Sequence, residues 1–251
     1  MHLRFWIPIR CTMTDPLDTL IAQWTRLGAG FNAKPSAKTP DLERLLLDTA
    51  RHAAQMSRLF IMAATWLNRY GDLIAKNRLK RLIRDELAPE HRPTLGLLLD
   101  TAQQGTRRFQ TIIANLSPAP TAKPLFNIEA SNEGLSARAQ RHASSLSKKW
   151  GLWCAPIEFK NDALRPPQWL MTHNRTFRSR ADFRGDLRSS ILASLQYDSD
   201  AGKSELRLAR SSGGSRAQVR NSLDNLELTG RVARTPDPFM RSIRISLLQE
   251  A

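Results

Sequence analysis

Cysteine is nearly missing from this chain of 251 residues: only Cys11 and Cys154 occur, far apart and with no CxxC pairing. That scarcity excludes a disulfide framework and a thiolate zinc site, and it fits a reducing cytoplasm. Histidine is thinly spread as well. His52, His91, His142 and His173 show no HxH or HxxxH spacing and no neighbouring carboxylate cluster, so neither a metal nor another cofactor is expected. Long apolar runs are absent too. The longest, Leu59 to Leu67, is far below the ~20 residues that cross a bilayer and reads as a buried helix, so no membrane partner is expected. The opening Met1 to Thr12 is interrupted by Pro8 and Arg10 and lacks a small-residue cleavage site, so it does not read as a signal peptide; Met13 is an alternative start.

Acidic residues are the other shortage. Against 38 Lys and Arg stand 23 Asp and Glu, a net charge of +15, which favours polyanionic partners, nucleic acid before an anionic membrane surface. The imbalance does not locate a site, because there are 18 basic and 12 acidic residues up to position 133 and 20 and 11 beyond it. With 41% hydrophobic and 24% charged residues the chain has the apolar material for real cores.

What is present is helical periodicity. Asp15 and Pro16 open a helix through Leu17, Leu20, Ile21, Trp24 and Leu27 that ends near Gly28 and Gly30. Phe31 to Pro40 reads as a loop. A long periodic segment follows, capped by Thr39 to Asp41 and running from Leu42 to about Tyr70. Asp72 to Leu87 places Leu73, Ile74, Leu79, Leu82 and Ile83 inside and the basic run Lys76, Arg78, Lys80, Arg81 and Arg84 outside. Pro93 to Gln104 and Thr106 to Leu116 continue the pattern. The expectation is a helical bundle over 1–116, with pairing between protomers left open. Next comes a segment over 117–181: a hinge at Ser117 to Pro124, a helix from about Asn132 to Trp150, and an ordered aromatic connector to Phe177.

Over 182–251 the order of elements carries the reading. A helix from Phe183 to Gln196 presents Leu187, Ile191, Leu192 and Leu195. A second runs from Lys203 to Ala209, with Leu206 as its core contact and Ala209 as a close approach. Ser211 to Gly214 supplies a turn suited to positive φ. A third helix opens at Ser215 and runs to about Leu228, with Val219, Leu223 and Leu226 on one face and Arg216, Gln218, Arg220 and Asn221 outward. Arg can fork onto guanine, and Gln or Asn can pair with adenine. After Gly230, Arg231 to Thr235 and Arg241 to Leu247 alternate like a hairpin with Pro236 to Met240 at its tip.

The spacing of Ser215, Val219, Leu223, Leu226 and Gly230, followed by a basic hairpin, resembles the winged helix-turn-helix family of bacterial transcriptional regulators over about 65 residues. The resemblance implies a mainly α protein, an N-terminal helical bundle joined to a winged helix with a small β-hairpin wing. It also implies that the protein binds double-stranded DNA as a homodimer. Ser215, Arg216, Gln218, Arg220 and Asn221 would lie at the groove, and Lys203, Arg207, Arg210, Arg234, Arg241, Arg244, Arg180 and Arg184 along the phosphates. Asp224 and Glu227 depart from the pattern, since they would repel phosphate if they faced it. The arginine run Arg175, Arg178, Arg180, Arg184 and Arg188 fits either phosphate tracking or a solvated face paired with Asp182 and Asp186.

Two other function classes are open. One is an antitoxin-like or defence-associated interaction protein that grips a partner through the N-terminal helices and uses the winged helix for autoregulation. The other is a ribonuclease: Arg84 and His91, with six residues between them, resemble the catalytic pair of the helical HEPN ribonucleases, although Pro89 falls between them. Other enzymatic signals fail. Gly202, Lys203 and Ser204 lack the earlier glycine of a phosphate loop, Tyr197 standing in its place, and Ser145 to Lys148 is a bare SxxK match. No catalytic residue is expected.

Overall fold

The first helix begins where the sequence places its cap. Asp15 accepts from the backbone N–H of Leu17 with Pro16 in the first turn, and α1 (Pro16–Arg26) turns Leu20 and Trp24 into the core. The computed structural model describes residues 15–236 and 243–248. The readings that concern Cys11, Met13 and Met1 to Thr12 therefore fall outside the described residues.

The periodic segment from Leu42 to Tyr70 is two helices rather than one. α2 (Leu42–His52) and α3 (Ser57–Tyr70) are separated by a 3₁₀ turn, Ala53–Gln55, and by the extended backbone of Met56. Apolar periodicity misses such a break when both stripes face the same core. α4 (Lys76–Glu86), α5 (Arg92–Ala102) and the short α6 (Gln110–Ile113) complete the first set. After the short α7 (Asn127–Ala130), α8 (Glu133–Arg141) and α9 (Ser145–Lys149) replace the single helix expected over 132–150, because Ser144 starts a new cap by accepting from Ser147 N. α10 (Pro167–His173) and α11 (Thr176–Asp182) lead to α12 (Leu187–Tyr197), α13 (Glu205–Ser212) and α14 (Arg216–Leu228). A parallel pair joins β1 (Lys123–Pro124) to β2 (Leu152–Trp153). β3 (Val232–Pro236) and β4 (Ile243–Leu247) form an antiparallel hairpin with Val232 opposite Leu247 and Thr235 opposite Arg244. The protein is mainly helical with a small C-terminal hairpin. Among the described residues no helix is long and apolar enough to cross a membrane.

Two hydrophobic cores form, and they divide near residue 182. One holds Trp24, Phe60 and Trp66 together with Leu125, Trp150, Leu164 and Phe177, so a boundary at 116 separates nothing. Ser117 to Pro124 is not a hinge: Ala119 N donates to Trp150 O at 3.0 Å and Lys123 N to Gly151 O at 3.2 Å. Proline and alanine make a stiff extended segment as readily as a loose one, and here the neighbouring backbone pairs with it. The buried indoles satisfy their own donors, Trp24 Nε1 on Thr49 Oγ1 and Trp66 Nε1 on Leu27 O, each at 2.9 Å. In the aromatic connector Arg165 O accepts from Tyr70 Oη, and Lys160 N donates to Thr65 Oγ1.

Gly96 marks the tightest packing of α5. A Cβ there would lie 2.2 Å from the Trp150 ring, whose Nε1 is held by Asp100 Oδ2 at 3.0 Å. Helix preference favours alanine by about 1 kcal/mol, but a buried indole tied at its far end has little room to yield. Gly96→Ala is expected to lose about 1–3 kcal/mol in urea denaturation; a gain would show that Trp150 gives way.

Asp100 also links stability to pH. Burial opposes its charge, but donors from Lys149 at 2.6 Å, Trp150 and Gln103 outweigh that and hold its carboxyl below the usual range. A depressed folded pKa stabilises above the unfolded value of about 3.9 and the contribution is lost as pH falls through the folded one. Unfolding midpoints measured from pH 5 downward should therefore fall less steeply for Asp100→Asn than for the parent. Identical slopes would remove Asp100 from the account.

The second core is docked on α4. Gly213, at φ +78°, follows α13, and a Cβ there would lie 2.5 Å from Asn77 O. Arg78, expected on the outer face of α4, is instead fully buried, donating to Asp41 (2.6 Å), Glu43 (3.0 Å) and Asp198 (3.0 Å). A basic run looks the same in sequence whether it faces water or a carboxylate cage, and these partners lie 35 to 120 positions away.

Candidate nucleic-acid interface

Local chemistry sets each element of the C-terminal unit. Asp186 caps α12 by accepting from Arg188 N, so that helix starts four residues later than its apolar face suggests. Ser204 caps α13. The core contacts of α13 are Leu208, Ala209 and Ser212, while Leu206, expected inside, is 48% exposed. Ala209 is buried as expected, but Leu206 falls at the edge of that face and Leu208 takes the core position. Gly213 makes the left-handed turn, and Ser215 with Gln218 forms a reciprocal capping box at the head of α14. Val219, Leu223 and Leu226 are fully buried, which fixes the opposite face of α14 outward.

On that outer face Arg216, Arg220 and Asn221 are exposed. Both guanidiniums converge on Glu205 of α13, Arg216 Nε at 3.6 Å and Arg220 Nη2 at 3.0 Å. Glu205 holds Arg220 further in its charged form, first by a hydrogen bond and then by its charge. It was not singled out by the sequence, because its partners lie 11 and 15 positions on and belong to another helix. Gln218 is exposed but occupied: Ser215 N donates to its Oε1 at 3.0 Å. The bidentate pairing with adenine proposed for Gln218 is therefore not the geometry this side chain holds, and Ser215 likewise serves the cap.

Arg234 is also drawn inward. Its guanidinium donates to Glu227 Oε2 at 2.9 Å and pairs with Asp224 at 2.8 Å, so the two acids that departed from the family pattern tie the hairpin to α14. Arg234 is a strut rather than a free wing cation. Arg244 stands exposed on β4. Arg241 and most of the expected tip, residues 237–240, lie outside the described residues. Lys203 and Arg207 are exposed and share Asp200, and Arg210 is exposed.

The arginine run ahead of α12 divides by environment. Arg175, Arg178 and Arg184 are exposed. Arg188 is held by Asp186 and by Asn225 Oδ1 at 2.6 Å. Arg180 is a correction: it is 1% exposed, donates to Glu43 at 2.6 and 3.1 Å, and lies against the rings of Phe177 and Tyr197, so it cannot reach a phosphate. Tyr197 itself donates to Pro40 O, and burial pushes its phenol up to about 12.

Elsewhere, Arg84 is exposed and paired with Asp85, while His91 ends a 3₁₀ turn, Pro89–His91, outside α4. Burial, only partly offset by the Glu90 carboxylate and reinforced by Arg51 and Lys123, holds its imidazole below the usual range. No group of three or more His, Cys, Asp or Glu able to hold a metal occurs among the described residues. Comparison of the chain with protein-family models found no match. Comparisons with curated proteins and with solved structures found none either.

Proposed function

We propose that this protein is a sequence-specific, double-stranded DNA-binding transcriptional regulator that acts as a homodimer. One observation carries the reading. α14 is clamped by a three-residue apolar stripe on one side and presents Arg216, Arg220 and Asn221 on the other, directly after a tight left-handed turn and before a β-hairpin. Arg216 and Arg220 supply forked donors for guanine, Asn221 the amide for adenine, and Arg244, Lys203, Arg207, Arg210 and Arg184 the phosphate contacts beside them. Glu205 pairs with both arginines and, by competing for them, raises the cost of settling on a sequence that does not offer matching acceptors.

Selection of bound fragments from random duplex DNA at physiological salt tests this. A recovered motif is the expected result, with a palindromic form reporting the dimer. Recovery of no motif, with binding that tracks only salt, would overturn sequence-specific recognition.

A further inference from the structure

The basic run of α4 is divided by the fold, and the division leaves a site. Arg78 turns inward, whereas Arg81 and Arg84 open onto a groove of about 880 Å³ between α4 and the outer face of α13. The facing wall carries Arg207 and Arg210, Arg44 lies at one side, and the floor is the stretch from Tyr197 to Ala201 that joins α12 to α13. The groove therefore collects five guanidiniums from two separately cored parts of the chain.

Its acids are already shared. Asp198 serves Arg44 at 2.9 Å, Arg78 at 3.0 Å and Arg81 at 3.3 Å, and Arg44 is further held by Asp41 and Glu86, each at 3.0 Å. Asp85 serves Arg84 at 2.8 Å and Arg81 at 3.7 Å, and Asp200 serves Lys203 and Arg207. Arg210 is exposed and has no carboxylate within ion-pair distance among the described residues. Excess positive charge with an exposed, unpaired guanidinium calls for an anion, and planar guanidiniums suit phosphate oxygens. The groove is open to solvent rather than enclosed, which suits an extended polyanion better than a buried small molecule. α13 connects it to α14: Glu205 on one side of α13 holds Arg216 and Arg220, and the opposite side is the groove wall. Arg84 is 75% exposed and Asp85 40%, so exchange of that carboxylate for a phosphate costs little desolvation.

We infer that the α4–α13 groove binds the phosphodiester backbone flanking the sequence read by α14, so that the N-terminal helical body contributes Arg81 and Arg84 to the DNA footprint. This rests on the DNA-binding reading. The test uses the full chain, the selected duplex and fluorescence anisotropy over a salt series. The double variant Arg84→Ala, Arg210→Ala should flatten the slope of log K against log salt by about 1.8, two phosphates at about 0.9 each. Its preference for the selected sequence over a scrambled duplex should not change. Arg141→Ala, an exposed residue of α8 outside the groove, should leave the slope as it was. Both groove arginines are exposed, and a thermal melt like the parent's is expected to confirm the fold. An unchanged slope in the double variant overturns the groove and leaves the reading of α14 standing. Loss of sequence preference along with affinity also overturns it as a backbone contact, and a parent protein that binds no duplex overturns both.

Discussion

A loss of about 3–5 kcal/mol of unfolding free energy is the expected result of Glu43→Ala, the size associated with breaking a buried ion pair from one side. Glu43 has no exposed surface and receives donors from Arg180 at 2.6 and 3.1 Å, from Arg78 at 3.0 Å and from the Ala75 backbone at 2.8 Å. Arg78 would keep Asp41 and Asp198, but Arg180 would keep only the Leu73 carbonyl, at 3.3 Å. An unpaired guanidinium cannot shed its charge, so the penalty falls on the fold. The cluster spans α2, α4, α11 and the end of α12, and its loss should also loosen the docking of the C-terminal unit. Urea titration checks the first effect and hydrogen exchange of α12 and α13 the second. Glu43→Leu combined with Arg180→Leu should cost less than Glu43→Ala alone, since the buried charge then leaves with its partner. A Glu43→Ala variant within 1 kcal/mol of the parent would show that water enters the cluster and screens it.

The Arg216→Ala, Arg220→Ala double variant should bind the selected duplex at least about 30-fold more weakly, from about 1–3 kcal/mol for each forked base contact. Its affinity for scrambled duplex should fall far less, the general phosphate contacts being kept. Val219, Leu223 and Leu226 hold α14 whether or not the two arginines are present, so the variant should melt like the parent. Glu205→Gln supplies the opposite sign: it frees both arginines from their carboxylate, and affinity for any duplex should rise several-fold while discrimination falls. Anisotropy on selected and scrambled duplexes measures all of this. Intact discrimination in the arginine double variant would remove these residues from base readout.

Much of the C-terminal unit was legible in sequence because its determinants are local. The Ser215 cap, the glycine after α13, the stripe Val219, Leu223 and Leu226, and the hairpin after Gly230 are each set by residues within a few positions of one another. Leu206 and Leu208 lie on opposite sides of the buried Ala209, each within about a third of a turn of it, so apolar spacing alone does not decide which of them enters the core. The breaks at Ala53–Gln55 and at Ser144 left apolar spacing intact and so left no periodic signature.

Charge was the least legible property. Arg78, Arg180 and Arg84 are alike in sequence, basic residues in basic helical stretches, yet two are buried and one is 75% exposed. By itself the sequence determined that the chain is mainly helical, the caps at Asp15, Asp41 and Ser215, the turn and hairpin that frame α14, and the excess of positive charge. Only the tertiary structure decided that residues 117–181 share the core of the first helices, that Glu43 and Asp198 claim Arg78 while Glu43 alone of the acids claims Arg180, and that Arg81 and Arg84 meet Arg207 and Arg210 across one groove. The physical reason is range: caps, turns and apolar stripes act over a few residues, whereas the fate of a guanidinium depends on which carboxylate folding brings within about 3 Å of it.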